Sequence, residues 1–239
     1  KEKGLSFYTI GSSGHEGNAV LGHVFKKSDM AFLHYRSGAL YLQRAKQLPG
    51  SDGVRDILRS LVAAAADPIS GGRHKVFGSL ALNIPPQTST IASHLPKALG
   101  AALSITRAKE LGIKSTLAPD SVILCSFGDA SANHASAQTT FNACSWIRQQ
   151  NYPLPLIFIC EDNQIGISVP TPKDWIETSI SARSGLHYLS CDGLNIADVY
   201  AKAQAAEHLA RNKKEPVFLH LRCVRILGHA GSDIESQYA

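Results

Sequence analysis

Two continuous apolar runs, Ser121–Phe127 (SVILCSF) and Leu154–Cys160 (LPLIFIC), constrain this chain more than any other feature. Each has the length of a strand, lacks polar alternation and stops at a turn residue or an acidic pair. That is how a strand buried on both faces reads. Val217–Val224 (VFLHLRCV) adds a third run containing β-branched residues. Between the first two lies Ala135–Gln149, with no Pro or Gly inside and with Phe141, Cys144, Trp146 and Ile147 in its second half. This predicts a helix packed on a sheet. Between the second and third, Asn195 is placed to cap a helix carrying Ile196, Val199, Tyr200, Ala203 and Leu209 on one face. Strands alternating with helices imply βαβ units and a mostly parallel sheet.

Upstream, Ile91–Leu111 reads as another helix, its interior crowded with Ala98, Gly100, Ala101 and Ala102, which suits close packing. Pro96 belongs in its first turn or at a kink. Pro68–Thr90 is rich in Gly, Pro, Ser and Thr and reads as a long ordered loop, a kind that usually serves function. The 239 residues suit one large α/β domain or two small ones, and no repeat or linker divides them.

Composition removes several classes. With 44% hydrophobic and 18% charged residues the chain is globular rather than disordered. The net charge of +5 is scattered, with Lys26-Lys27 and Lys213-Lys214 the notable doublets, so no nucleic-acid stripe exists. A modest positive balance instead suits an anionic ligand or an acidic partner surface. The five cysteines lie far apart without C-x-x-C spacing, and Cys125, Cys160 and Cys223 fall inside apolar or β-rich runs. They read as free core thiols of a reducing compartment. No stretch is long and apolar enough for a membrane helix, and KEKGLSF does not read as a signal peptide, so the expectation is a soluble intracellular protein.

The chemistry concentrates where the central strands end. Phe127-Gly128-Asp129-Ala130-Ser131-Ala132-Asn133 follows the first, and Glu161-Asp162-Asn163-Gln164 closes the second. In an open parallel sheet, ligands bind at this carboxyl edge. Asp129 and Asn163 are one strand–helix–strand unit apart, so neighbouring parallel strands would set them side by side. Mg²⁺ takes a few protein oxygens and completes its shell with phosphate and water, so the pair suits a metal-bound diphosphate. Ordinary turn chemistry accounts for Gly-Asp and Asp-Asn taken singly. Likewise Tyr35-Arg36 suits a surface pair after a buried strand, and His229 a loop histidine. Neither G-x-G-x-x-G nor G-x-x-x-x-G-K-[ST] occurs, which counts against dinucleotide and P-loop readings.

Taken in order, these motifs resemble the thiamin-diphosphate motif that opens Gly-Asp-Gly and closes Asn-Asn. Ser6-Phe7-Tyr8, His15-Glu16-Gly17, His34-Tyr35-Arg36, Ser89–Ala101, Ile167–Pro172 and Gly228-His229 are similar to the α subunit of 2-oxo acid dehydrogenase E1 components, branched-chain or pyruvate type. The similarity spans Ser6 to Asp233. It implies a three-layer α/β fold, a mostly parallel sheet with helices on both faces, as a single thiamin-diphosphate-binding domain over 1–239. Conventional α subunits extend beyond both ends, which implies a trimmed, partly ordered or fused version.

Carried over by position, the resemblance implies that Asp129, Asn163 and the carbonyl of Ile165 ligate Mg²⁺. Tyr35 and Arg36 hold the diphosphate, and Gly128, Ala130 and Ser131 bring backbone close to it. Ser89 and Ile91 flank the aminopyrimidine, and His229 meets the diphosphate and faces the reacting carbon as the catalytic residue. Ser13 and His15 are weaker substrate-side candidates, with His34 and His94 nearby. The implied activity is oxidative decarboxylation of a 2-oxo acid, branched-chain favoured over pyruvate, with acyl transfer to the lipoyl group of an E2 core. It also implies a partner β subunit or fused β half, an α2β2-like assembly, no nucleic-acid or membrane partner, and a bacterial cytoplasmic or mitochondrial matrix setting. The alternatives are an inactive homologue and a nucleotide-binding α/β module. Four positions depart from the pattern. Ala130 replaces Gly, Asp162 replaces the first Asn, and Glu161 stands where some relatives carry a phosphate-neutralising Arg. Ala230 stands where phosphorylation-loop relatives have His or Ser.

Overall fold

The computed structural model describes residues 3–6, 9–73, 78–87, 90–231, 233–234 and 236. In chain order its strands are β1 (Met30–Phe32), β2 (Ile123–Gly128), β3 (Leu156–Asp162), β4 (Ile165–Gly166), β5 (Val169–Pro170), β6 (His187–Asp192) and β7 (Val217–Arg222). The helices are α1 (Ala19–Val24), α2 (Gly38–Ala45), α3 (Gly53–Leu61), α4 (His94–Glu110), α5 (Ala135–Gln149), α6 (Trp175–Ile180) and α7 (Ile196–Asn212). Five strands form a fully parallel sheet in the order β1-β2-β3-β7-β6, and β4 and β5 make a separate antiparallel hairpin.

The continuous apolar runs become the two-faced strands at the middle of this sheet. Ile123, Cys125 and Phe127 of β2, with Leu156, Phe158 and Cys160 of β3, pack under α4, α5 and α6. Leu124, Ile157, Ile159, Val217 and Leu219 point the other way, onto α1, α2 and α7. Period-two alternation therefore makes both faces apolar, and the fold is the three-layer α/β arrangement with helices on both sides. Phe127, Phe141, Phe158 and Phe218 meet in one cluster, with the Phe141 and Phe158 rings edge-on at 5.1 Å. Each fully buried Phe contributes about 1.5–3 kcal/mol by leaving water, so this cluster is a main clamp between α5 and the sheet.

Helix boundaries follow local chemistry. The Asn195 side chain accepts from the amides of Ala197 and Asp198 and so caps α7. Pro96 sits in the first turn of α4, where its missing N–H costs little. One expected face is different: Ile196 and Tyr200 are exposed, and the buried stripe of α7 is Val199, Ala203, Ala206 and Ala210. Small alanines let α7 lie close to the sheet, so its packing face has little side-chain bulk to mark it in the sequence. All five cysteines are buried and free. No helix among the described residues is long and apolar enough to cross a membrane.

Candidate active site

Because β1, β2, β3 and β7 are parallel, their carboxyl ends share one edge, and the loops that follow them enclose a cleft of about 420 Å³. Gly128 pairs in register with Glu161, so the two motif turns leave the sheet side by side. Tyr35, Arg36, Ile91, Gly128, Asp129, Ala130, Ser131, Asn163, Ile165 and His229 all line this cleft, joined by His34. The remaining cofactor candidate, Ser89, lies outside the described residues. Ser13 and His15 are not part of the wall. The Ser13 carbonyl accepts from the Ile226 amide, and His15 is fully buried behind Asn163.

Asp129 opens a 3-10 turn, Asp129–Asn133, directly after β2. Its residue is 2% exposed, and its Oδ2 accepts from Thr171 Oγ1 at 2.7 Å. Burial raises this carboxyl above its ordinary range, against the opposing Thr171 hydrogen bond. A buried carboxylate that lines a cleft and is held there by neutral donors alone, the Thr171 hydroxyl and the amides of Asp129 and Ala130, is a group that a cation stabilises. Asn163 follows β3, and its Oδ1 accepts from the Ile165 amide at 3.1 Å in a tight turn. Asp129, Asn163 and Ile165 all line the cleft, and between them they can offer a carboxylate, a side-chain amide oxygen and a main-chain carbonyl. These all-oxygen donors fit Mg²⁺ rather than a soft metal.

Ala130 replaces the usual glycine without strain, because its backbone is not in the left-handed region. The small residue opposite is Gly166 instead: a Cβ there would lie 2.8 Å from Ala130 Cβ. Ile167, next in the hairpin, does adopt a left-handed conformation with φ of 57°. A β-branched residue there costs roughly 1–2 kcal/mol, so neighbouring structure must hold it.

Positive charge enters from two sides. Arg36 is 1% exposed, donates to the carbonyls of Gly11 at 2.6 Å and His229 at 2.9 Å, and packs over the Tyr35 ring at 5.2 Å. It thereby ties the loop after β7 to the loop after β1. His229 sits edge-on to Tyr35, and burial together with Arg36 lowers its pKa below the ordinary histidine value. The second cation is Arg225, which lines the cleft and donates to the Ile167 carbonyl at 2.7 Å. Sequence reading did not single it out. Its position three residues beyond β7, at the edge shared with Asp129 and Asn163, is the signal that was available.

Glu161, which cannot neutralise phosphate as an Arg there would, does not line the cleft. Its side chain takes the α1 and α2 side of β3, fully buried, and receives hydrogen bonds from His15 Nδ1 at 2.7 Å, Asn18 Nδ2 at 3.1 Å and Ser37 Oγ at 2.5 Å. Asp162 accepts from the Gln164 amide and bonds His220, so it shapes the turn and stays off the cleft wall. His94 donates to the Ser126 carbonyl and is structural.

The family described as dehydrogenase E1 component matches residues 1–239. Among curated proteins, the mitochondrial 2-oxoisovalerate dehydrogenase subunit alpha of Mus musculus is 26% identical over 100% of this chain and 50% of its own length. The 2-oxoisovalerate dehydrogenase subunit alpha of Bacillus subtilis is 29% identical over 77% of the chain and 53% of its own length. The chain thus spans about half the length of these relatives. Among solved structures, a transketolase from Campylobacter jejuni superposes with a TM-score of 0.55 at 15% identity, covering 90% of this chain and 31% of that one, which supports the fold. With its full length matched, this chain belongs to the dehydrogenase E1 component family.

Proposed function

We propose that this chain forms the diphosphate- and metal-binding half of a thiamin-diphosphate-dependent 2-oxo acid dehydrogenase E1 component. The carrying observation is that Asp129 and Asn163 leave register-paired strands into one cleft whose walls bear Arg36 and Arg225. In this reading Asp129, Asn163 and the Ile165 carbonyl hold Mg²⁺. Gly128, Ala130 and Ser131 offer close backbone, Tyr35 and the two arginines meet the diphosphate, and Ser89 and Ile91 flank the aminopyrimidine. His229 stands at the mouth with a neutral imidazole able to accept or return a proton. Thiamin diphosphate, when bound, supplies decarboxylation of 2-oxo acids.

The substrate we infer is a branched 2-oxo acid rather than pyruvate, with the acyl group passing to the lipoyl group of an E2 core. Relatives carrying the name subunit alpha of 2-oxoisovalerate dehydrogenase support this. Their description as alpha subunits also supports a β subunit or fused β half completing an α2β2-like site. Five free buried cysteines suit a reducing setting, bacterial cytoplasm or mitochondrial matrix.

Calorimetric titration with thiamin diphosphate and Mg²⁺ tests the site, and Mg²⁺-dependent binding of one cofactor per chain is the expected result. With the β partner present, 2-oxoisovalerate should be decarboxylated with a higher kcat/KM than pyruvate, using an artificial acceptor. One methylene in an apolar pocket discriminates by only about 1–3 kcal/mol, so the preference should be modest. Absence of binding with the partner present defeats the enzyme reading and favours an inactive homologue. A clear preference for pyruvate defeats only the branched-chain assignment.

A further inference from the structure

We propose that Glu161 and His15 are positioning residues that hold the Asn163 side-chain oxygen toward the cation of the cleft. The inference rests on the metal-binding reading of Asp129, Asn163 and Ile165 given above. Neither Glu161 nor His15 reaches the cleft, so their effect must pass through Asn163.

The chain of contacts is fully directional. Ser37 Oγ, Asn18 Nδ2 and His15 Nδ1 all point at the Glu161 carboxylate, and all four residues are fully buried. Asn18 cannot turn its oxygen there, because its Oδ1 already accepts from the Leu40 amide at 2.8 Å. The Ile165 amide holds the Asn163 oxygen on its own side, so the Asn163 Nδ2, which can only donate, faces His15 Nε2. The imidazole hydrogen therefore sits on Nδ1, aimed at Glu161, and Nε2 is the acceptor.

Nε2 lies 3.0 Å from the Asn163 side-chain nitrogen. An acceptor there selects the amide N–H₂ of Asn163 and turns Oδ1 to the opposite side, where the Ile165 amide meets it at 3.1 Å. Two contacts thus agree on one amide orientation, and the second lone pair of Oδ1 remains for a cation. A residue whose partner orients a metal ligand in this way commonly changes metal affinity by about ten- to a hundredfold when altered.

His15, His34 and Glu161 also bring possible ligand atoms within 4.8 Å of one another. Their spacing is that of a hydrogen-bonded network rather than a second metal centre. The 2.7 Å His15–Glu161 contact is a hydrogen bond, both Glu161 oxygens are engaged, and His34 Nδ1 stands off at 4.0 Å.

The apolar variant Glu161→Leu separates this role from simple packing. It removes the acceptor that keeps the imidazole hydrogen on Nδ1, so the hydrogen can pass to Nε2, draw the Asn163 oxygen toward itself and turn it from the cleft. Mg²⁺ affinity, measured calorimetrically in the presence of thiamin diphosphate, should fall by about tenfold or more. Adding Asn163→Asp should restore it, because a carboxylate accepts from Nε2–H with one oxygen and ligates with the other. A purely structural Glu161 would lack that rescue. Nitrogen-15 spectroscopy of the unaltered chain should find the His15 hydrogen on Nδ1, and this measurement needs no variant to fold. An Nε2–H tautomer in the unaltered chain overturns the inference, as does a folded Glu161→Leu chain with unchanged Mg²⁺ affinity. Asp129→Ala tells this failure from that of the site itself. If it loses the cation while Glu161→Leu keeps it, only the positioning role falls. If Asp129→Ala binds Mg²⁺ normally, the metal-site reading falls and takes this inference with it.

Discussion

Arg225 donates through Nη1 to the main-chain oxygen of Ile167 at 2.7 Å, and this bond joins the loop after β7 to the hairpin after β3. Its acceptor residue has a left-handed backbone at the cleft wall, and Arg225 lines the same cleft as Asp129 and Asn163. Arg225→Gln keeps a donor for Ile167 but removes the charge. Affinity for thiamin diphosphate should fall by about tenfold at low salt and by less at high salt, since screening weakens what the charge contributed. Calorimetry at two ionic strengths measures this, and equal losses at both would mean that Arg225 acts through the tether alone.

Asp129→Ala removes the charged oxygen from the proposed metal set. A doubly anionic diphosphate then has less countercharge, and cofactor affinity should drop by at least about tenfold, roughly 1.4 kcal/mol. Unchanged affinity with Mg²⁺ present would count decisively against the site.

Acid sensitivity has a candidate origin in His94. Burial lowers its pKa to about 4, partly offset by its bond to the Ser126 carbonyl. An unfolded histidine titrates near about 6.5, so the folded value is the depressed one. The stability contribution is therefore complete above the unfolded value and is lost as pH falls from there through about 4. His94→Gln, which can still donate to Ser126, should lose on the order of 2 kcal/mol less stability than the unaltered chain across that window. Urea unfolding at several pH values checks this; parallel curves for the two proteins would exclude His94.

Two aromatic residues on one helix should behave oppositely. Phe141 is fully buried in the ring cluster, whereas Trp146 is 69% exposed. Phe141→Ala should cost about 3–5 kcal/mol in denaturant unfolding, while Trp146→Ala should stay within about 1 kcal/mol. Comparable costs would mean that Trp146 is covered in solution.

Much of the fold was legible. Ala135–Gln149 is a helix with the expected bounds, and the three apolar runs are β2, β3 and β7 within one or two residues at each end. What escaped has physical reasons. β1 has three residues, too few for a period to register, and β6 is a half-exposed edge strand whose His187, Ser190 and Asp192 dilute the apolar signal. The α7 face was misread because Ile196 and Tyr200 outweigh alanines in hydrophobicity, although alanines let the helix approach.

The site divides along the same line. Local sequence determined that Asp129 and Asn163 would end buried strands, because a two-faced apolar run admits a polar residue only where it leaves the core. Strand order was a tertiary decision. It made β2 and β3 neighbours, brought the loop after β7 across to supply Arg225 and His229, and turned Glu161 away from the cleft toward His15. Glu161 and Asn163 are two positions apart in the chain, but alternation along β3 and the turn beyond it send one side chain into the core and leave the other at the ligand edge. No local pattern encodes which buried partners wait on that inner face, since they come from chain segments more than a hundred residues away.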